Sequence, residues 1–149
     1  MAYPGGFTLQ TDRGVEDGIP LPISSIAVTV GDMLMLTVGA TTWVAGTSST
    51  THWERKAVAM ETVTSAATEV KCQEIFPGQM WIVELANNSD AAHNGDRMVL
   101  TDTNTVNNTG TDSAAKEAVF IQYSPLGTNT DKRAIGRFVA GNGVNPDAT

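Results

Sequence analysis

The 149-residue chain has one cysteine, two histidines and few charged side chains. Because Cys72 is the only cysteine, no disulfide can form within the chain. It lies in an alternating apolar stretch, which predicts a small core residue rather than a reactive thiol. Charged residues make up 17% of the chain, against about 25% in a typical soluble domain. Small polar residues, threonine above all, take their place and favour strands over helix interiors.

Positive charge and long apolar runs are also scarce. The 9 Lys and Arg residues stand against 16 Asp and Glu residues, for a net charge of −7. A nucleic-acid binder needs a basic surface to neutralise phosphates, so we expect no nucleic-acid partner. The apolar runs are far shorter than the roughly 20 residues that span a bilayer, and residues 1–7 lack the features of a signal peptide. We therefore expect no membrane partner, and synthesis in the cytoplasm.

The residue patterns of common catalytic and metal sites are missing. His52 and His93 lie in separate polar loops, without a further ligand at metal-binding spacing. The chain has no nucleophile elbow and no phosphate-binding glycine loop. We expect no enzymatic activity, no metal and no cofactor. Carboxylates that meet only in three dimensions keep an enzyme as an alternative.

Helical periodicity is nearly absent, whereas strand signals recur along the chain. Only residues 112–117 could form one or two helical turns. Alternating or short apolar segments separated by Gly, Pro, Asn and Asp predict strands. These segments are 26–30, 33–38, 57–63, 68–72, 79–85, 97–100, 118–123 and 134–139. The pattern predicts an all-β fold with little helix, either a small β-barrel (SH3-like or similar) or a sandwich.

The first 22 residues differ from the rest, being rich in Gly and Pro and without periodicity. Because Tyr3, Phe7 and Leu9 are spaced through them, we predict an extended N-terminal arm that packs on its own barrel or on a neighbour. A mobile tail is the alternative. We assign residues 1–22 to the arm, 23–140 to a β-barrel domain and 141–149 to a polar C-terminal tail.

Two short segments are alike. Residues 31–37 (GDMLMLT) and 95–101 (GDRMVLT) both begin with Gly-Asp and continue through apolar residues to Leu-Thr. Glycine adopts a positive φ in turns, and aspartate can bond to nearby backbone groups. Two similar turn-to-strand entries in one barrel explain the likeness most simply, and an ancient duplication is the alternative.

The three tryptophans could form a sugar-stacking platform if they were exposed side by side. Trp81 alternates with Val83 and Leu85, which predicts a core position instead. Trp53 lies in a charged stretch before a strand, where it packs locally or lies at an interface. A carbohydrate- or peptide-binding module would require Trp43 and Trp53 to be exposed together.

Taken together, the chain resembles the capsid decoration (cement) proteins of tailed bacteriophages. The resemblance lies in the Gly/Pro-rich arm of residues 2–22 and in a small Thr/Ala/Val/Gly-rich barrel entered at residues 30–34 and again at 94–98. The scarcity of cysteine and of catalytic motifs and the acidic balance add to it. It covers most of the chain, and no single motif in it is diagnostic.

The resemblance implies a non-enzymatic protein of the virion, on the outer capsid surface. Such a protein binds the major capsid protein after shell assembly, often as a homotrimer, and clamps neighbouring subunits. The expected contact residues for the shell or a neighbour are Tyr3, Phe7, Leu9, Arg13 and Trp53. The alternatives are another phage structural subunit (tail tube, head completion or fibre), or a carbohydrate- or peptide-binding β module.

Overall fold

A computed structural model describes residues 6–9, 18–48, 50, 53–108 and 119–139. Within these ranges the chain forms eleven strands and two short 3-10 turns, Ala91–His93 and Asn129–Asp131. The strands are β1 (Thr8–Leu9), β2 (Ile19–Pro22), β3 (Met33–Leu36), β4 (Val44–Ala45), β5 (Arg55–Ala59), β6 (Glu69–Glu74), β7 (Trp81–Glu84), β8 (Arg97–Leu100), β9 (Val106–Asn107), β10 (Phe120–Pro125) and β11 (Arg133–Phe138). The predicted all-β class is confirmed.

The strands form two curled antiparallel sheets. One sheet has the order β2-β6-β5-β3-β4, and the other has the order β1-β7-β11-β10-β8-β9. Each sheet curls far enough for its outer strands to approach each other. A parallel bridge between Ile23 and Trp43 joins the ends of β2 and β4, and a parallel bridge between Leu85 and Val106 joins those of β7 and β9. Each sheet is therefore a half-barrel.

The two sheets are an internal structural repeat. Without β1, both have the spatial order first-fifth-fourth-second-third, counted along their own part of the chain. We call β2–β6 the first repeat and β7–β11 the second repeat. Strand register also agrees: Ala59 pairs with Cys72 in the first repeat, and Gln122 pairs with Gly136 in the second. Equivalent positions lie 62 to 64 residues apart throughout.

The two Gly-Asp turns occupy equivalent places in the two repeats. Residues 31–32 form two backbone hydrogen bonds with Ala59. The glycine N–H donates to Ala59 O, and Ala59 N–H donates to the aspartate carbonyl, both at 2.9 Å. Residues 95–96 form the same two hydrogen bonds with Gln122: the glycine N–H donates to Gln122 O at 2.8 Å, and Gln122 N–H donates to the aspartate carbonyl at 3.4 Å. The glycine φ angles are 92° and 89°, which only glycine adopts readily. The likeness in sequence thus marks two separate sheets rather than two entries into one barrel.

Both repeats fill their interiors from equivalent positions. The interior of the first contains Leu21, Ile23, Leu34, Trp43, Ala57, Val70 and Cys72. The equivalent residues of the second are Val83, Leu85, Met98, Val106, Phe120, Ala134 and Gly136. Side chains alternate along each strand, so matched registers point matched positions inward. The second core also contains Phe7 and three residues of the first repeat, Met33, Val58 and Ile75.

Part of the predicted N-terminal arm belongs to the folded domain. Residues 8–9 pair with β7, and Phe7 is 3% exposed and stacks edge-on against Phe138. Strand β2 is a full member of the first sheet, so the domain extends before the predicted boundary at residue 23. The strand predicted over 26–30 is reduced to a single bridge between Val28 and Val63. Residues 112–117 and 141–149 lie outside the described residues.

Candidate interaction surfaces

The same outer face has a different environment in the two repeats. In the first repeat, Met33 and Val58 point outward from β3 and β5 and are buried in the core shared with the second repeat. Register places Arg97 and Ile121 at the equivalent positions of the second repeat. Arg97 is exposed and Ile121 is only half-buried. The second repeat thus covers the outer face of the first, whereas the equivalent face of the second repeat is open to solvent.

We call the open face of β8, β10 and β11 the free face. Its centre is a row of three paired residues, with Ile121 between Arg97 and Arg137. Tyr123, two residues along β10, is 72% exposed. A groove of about 550 Å³ crosses this face, lined by Met80, Asn94, Gly95, Ile121, Gln122, Tyr123 and Arg137.

The charge of the free face is opposite to that of the whole chain. Arg97 and Arg137 are both exposed, and neither forms an ion pair within the part of the chain that the structure describes. They flank an apolar centre in a protein whose net charge is −7. This combination of an apolar centre with arginines beside it is typical of protein interfaces.

The second repeat covers the first through its β8–β9 loop and its last strand. Met33 N–H donates to Thr103 O at 2.7 Å, and the Thr103 hydroxyl donates to Met33 O at 2.9 Å. Lys56 Nζ donates to Val139 O at 3.0 Å. Leu100 lies beside Met33 around Gly46. These contacts make up the junction between the repeats.

We call the corresponding end of the first repeat, at residues 36–44 and 74–76, the free end. It carries three exposed apolar side chains: Val38 at 57%, Val44 at 38% and Phe76 at 52%. Glu74 occupies the position of Phe138 and pairs with Arg55. The Arg55 guanidinium also lies 5.5 Å from the centre of the Trp43 ring. The free end is thus apolar at its rim, with the Arg55–Glu74 ion pair beside it.

A second groove, polar and about 580 Å³ in volume, lies among Asn87, Asn88, Asp90, His93, Asn108 and Lys132. Asn108 is buried and donates to the carbonyls of Asn87 and Asn88 at 3.1 and 3.0 Å. His93 Nδ1 lies 2.9 Å from Asp96 Oδ2, within the Gly-Asp turn. These bonds tie loops together, and no three His, Cys, Asp or Glu side chains among the described residues cluster closely enough to hold a metal.

Of the residues predicted from sequence to contact a neighbour, the structure describes Phe7, Leu9 and Trp53. Phe7 is buried in the protein's own core, so its side chain offers no surface to a partner. Leu9 is half-buried against the same core, and Trp53 is half-buried near the start of β5. Tyr3 and Arg13 lie outside the described residues. His52 does as well.

The tryptophan platform required by a carbohydrate-binding module is not formed. Trp43 is 3% exposed in the first core, so it cannot stack on a sugar beside Trp53. Trp81 is buried with Val83 and Leu85, as the alternation predicted. The prediction that Cys72 is a core residue is also confirmed, and burial raises the pKa of its thiol to about 12.

Sequence reasoning missed the candidate surfaces that depend on the repeat. Arg97 and Arg137 are 40 positions apart, and only strand pairing places them on either side of Ile121. The one usable signal was the repeated Gly-Asp turn, which could have aligned the two halves. Lys56 was also missed: it is buried, and desolvation lowers its pKa to about 8 despite the opposing effect of Glu54.

No family model, curated protein or solved structure matches this chain. Among the described residues, no helix has both the length and the apolar character needed to cross a membrane.

Proposed function

We propose that this chain is a structural protein of a tailed-phage virion, bound to the outside of the assembled capsid. It is not an enzyme in this proposal. It stabilises the shell by bridging neighbouring capsid subunits and assembles there with copies of itself. The composition and strand pattern that resemble those of decoration proteins support this role, and so do the surfaces of the two repeats.

The observation that carries the proposal is the pair of exposed apolar surfaces on two different repeats. Phe76 and Val38 lie on the first repeat, and Tyr123 lies on the second. A bridging protein needs two contact surfaces in one stable body. Here the junction that buries Met33, Val58 and Ile75 joins the two repeats. One molecule can therefore hold two neighbours at a defined spacing.

Binding to an assembled shell amplifies weak contacts. A molecule that binds the intact shell but not its separated subunits stabilises the shell by mass action. Symmetry presents the same site many times, and a molecule held at two surfaces gains from effective concentration. In this proposal Leu9 and Trp53, the half-buried residues near the N-terminus and β5, remain the expected shell contacts.

Purified particles of the phage that encodes this chain provide the test. Quantitative mass spectrometry would count the chain against the major capsid protein. We expect hundreds of copies, released by mild denaturant while the shell stays closed. A few dozen copies or fewer would indicate a tail or vertex subunit instead, and absence from particles would refute a role in the virion.

A matched pair of variants would sharpen this test. Particles stripped of the chain would be incubated with wild type or with Trp53→Ala, and heated while DNA release is recorded. Wild type should raise the release temperature and Trp53→Ala should raise it less. Met60→Ala, at a side chain that is 40% exposed and outside both surfaces, is the control for general loss of exposed apolar area.

A further inference from the structure

We propose that the free face of one molecule binds the free end of a second copy, so that the chain associates head to tail. This inference rests on the surfaces of the proposed function and names a second copy of the chain as the neighbour that each of them holds. It rests on the internal repeat, because the junction within one chain shows how one repeat packs on another. The intermolecular contact would place the first repeat of the second copy on the second repeat of this one.

The first argument is continuity with the junction inside the chain. There, the β8–β9 loop and the end of β11 of the second repeat cover the outer face of β3 and β5. In the first repeat, the equivalents of this loop and strand end are the β3–β4 loop and the end of β6, which form the free end. In the second repeat, the equivalent of the covered face is the outer face of β8 and β10, which belongs to the free face. The junction thus shows how surfaces equivalent to the free end and the free face pack together.

The second argument is exposed apolar area on both surfaces. The described part of the chain has six large apolar side chains that are clearly exposed. Three of them, Val38, Val44 and Phe76, lie on the free end, and Tyr123 lies on the free face beside Ile121. Surfaces of this kind bury favourably against each other, because apolar area leaves water.

The third argument is charge. Arg97 and Arg137 are both exposed on the free face and form no ion pair within the described residues. In a face-to-face contact they would approach the same arginines of the other copy and repel them. The free end carries no such excess of positive charge, because Arg55 there is ion-paired with Glu74. Charge therefore favours contact of the free face with the free end over contact between two free faces.

A contact between two different surfaces has a consequence for assembly. Each bound copy still presents one free face and one free end, so association continues until a ring closes or a filament grows. An isologous dimer, in contrast, uses the same surface twice and stops at two copies. The two cases differ in how single-surface variants behave when mixed.

The test uses the full chain in sedimentation equilibrium, from micromolar to near-millimolar concentration. Wild type should associate beyond a dimer, or into one closed ring. Ile121→Asp places a charge at the centre of the free face, and Phe76→Asp places one on the free end. Each variant alone should weaken association about 30-fold or more. Met60→Asp is the matched control, since Met60 is 40% exposed and outside both surfaces. Circular dichroism and thermal melts would confirm that all variants fold.

Mixing the two surface variants decides the geometry. Ile121→Asp keeps an intact free end and Phe76→Asp keeps an intact free face, so an equimolar mixture should form one-to-one dimers and nothing larger. A monomeric wild type at every concentration would overturn the inference. So would variants that associate like wild type, or a mixture that stays monomeric. Particle copy number, measured separately, tests the capsid proposal alone.

Discussion

Lys56 in the first repeat donates a hydrogen bond from Nζ to the backbone carbonyl of Val139 in the second, at 3.0 Å. The same amine donates to the carbonyl of Glu54 at 2.7 Å. Its side chain is 1% exposed, in a junction that otherwise buries apolar side chains. A titratable group thus lies between the two halves of the molecule.

The stability of the fold should depend on the ionisation of Lys56. Its pKa falls from 10.5 to about 8 because burial disfavours the charged form. The unfolded chain therefore binds more protons than the folded one between these values, and the free energy of unfolding rises with pH across that window. Lys56 alone should contribute a rise of about 1 kcal/mol from pH 8 to pH 9, measured by urea denaturation.

Two variants separate this effect from others. Lys56→Met should abolish the rise between pH 8 and pH 9, and a rise that persists would contradict the assignment. From about pH 8 upward the Cys72 thiol acts in the opposite direction and offsets part of this rise, because its pKa is raised from 9.0 to about 12 in the fold. Cys72→Ala should therefore extend the stabilising trend to higher pH.

Native Cys72 should be inert towards thiol reagents. The side chain is fully buried, and the raised pKa leaves almost no thiolate at neutral pH. With Ellman's reagent, we expect no colour from the folded protein and one thiol per chain after addition of denaturant. Rapid reaction of the native protein would show that the first core opens readily.

Replacement of Gln122 by alanine should destabilise the second repeat. Its amide donates to Asp90 O and Asn94 Oδ1, both at 2.9 Å, and holds the loop of 90–94 against β10. Loss of these buried bonds should cost about 1–3 kcal/mol and speed hydrogen exchange at residues 92–95. Gln79→Ala, at a less buried glutamine that accepts from Phe76 N–H, is the control and should change stability little.

Two glycine substitutions should differ in cost. Gly95 has a φ of 89° and open space around its α-carbon, so Gly95→Ala adds backbone strain of about 1–2 kcal/mol. A β-carbon on Gly136 would collide with the Ile121 carbonyl and the Phe120 ring. We expect Gly136→Ala to cost about 3 kcal/mol, measured as the shift in the urea midpoint. The reverse order would contradict the packing described for β10 and β11.

The repeat explains why Gly136 is small. Its equivalent in the first repeat is Cys72, which pairs with Ala59 and lies in a core with Ala57. In the second repeat, Phe120 replaces Ala57. Phe120 occupies the space beside Gly136, whereas the first repeat has two small side chains, Ala57 and Cys72, at the equivalent positions.

The sequence by itself determined the all-β class and the location of most strands. Local patterns carry this information. Alternation predicts that Trp81 and Val83 are buried on one face of a strand. Gly-Asp predicts the turns before β3 and β8, where both glycines have a positive φ. The core position of Cys72 followed from the same alternation. The candidate surfaces had one local signal in the sequence, the repeated Gly-Asp turn that precedes β3 and β8.

Only the tertiary structure decided how the strands divide into two sheets and which faces remain open. Pairing between distant strands depends on long-range register, which no local pattern encodes. For this reason Phe7, predicted as a contact residue, belongs to the core, and Lys56 lies in the junction. Met33 and Arg97 follow similar turns, yet one is buried and the other exposed. That difference arises because the second repeat covers the first, and no residue described in this chain covers the second in the same way.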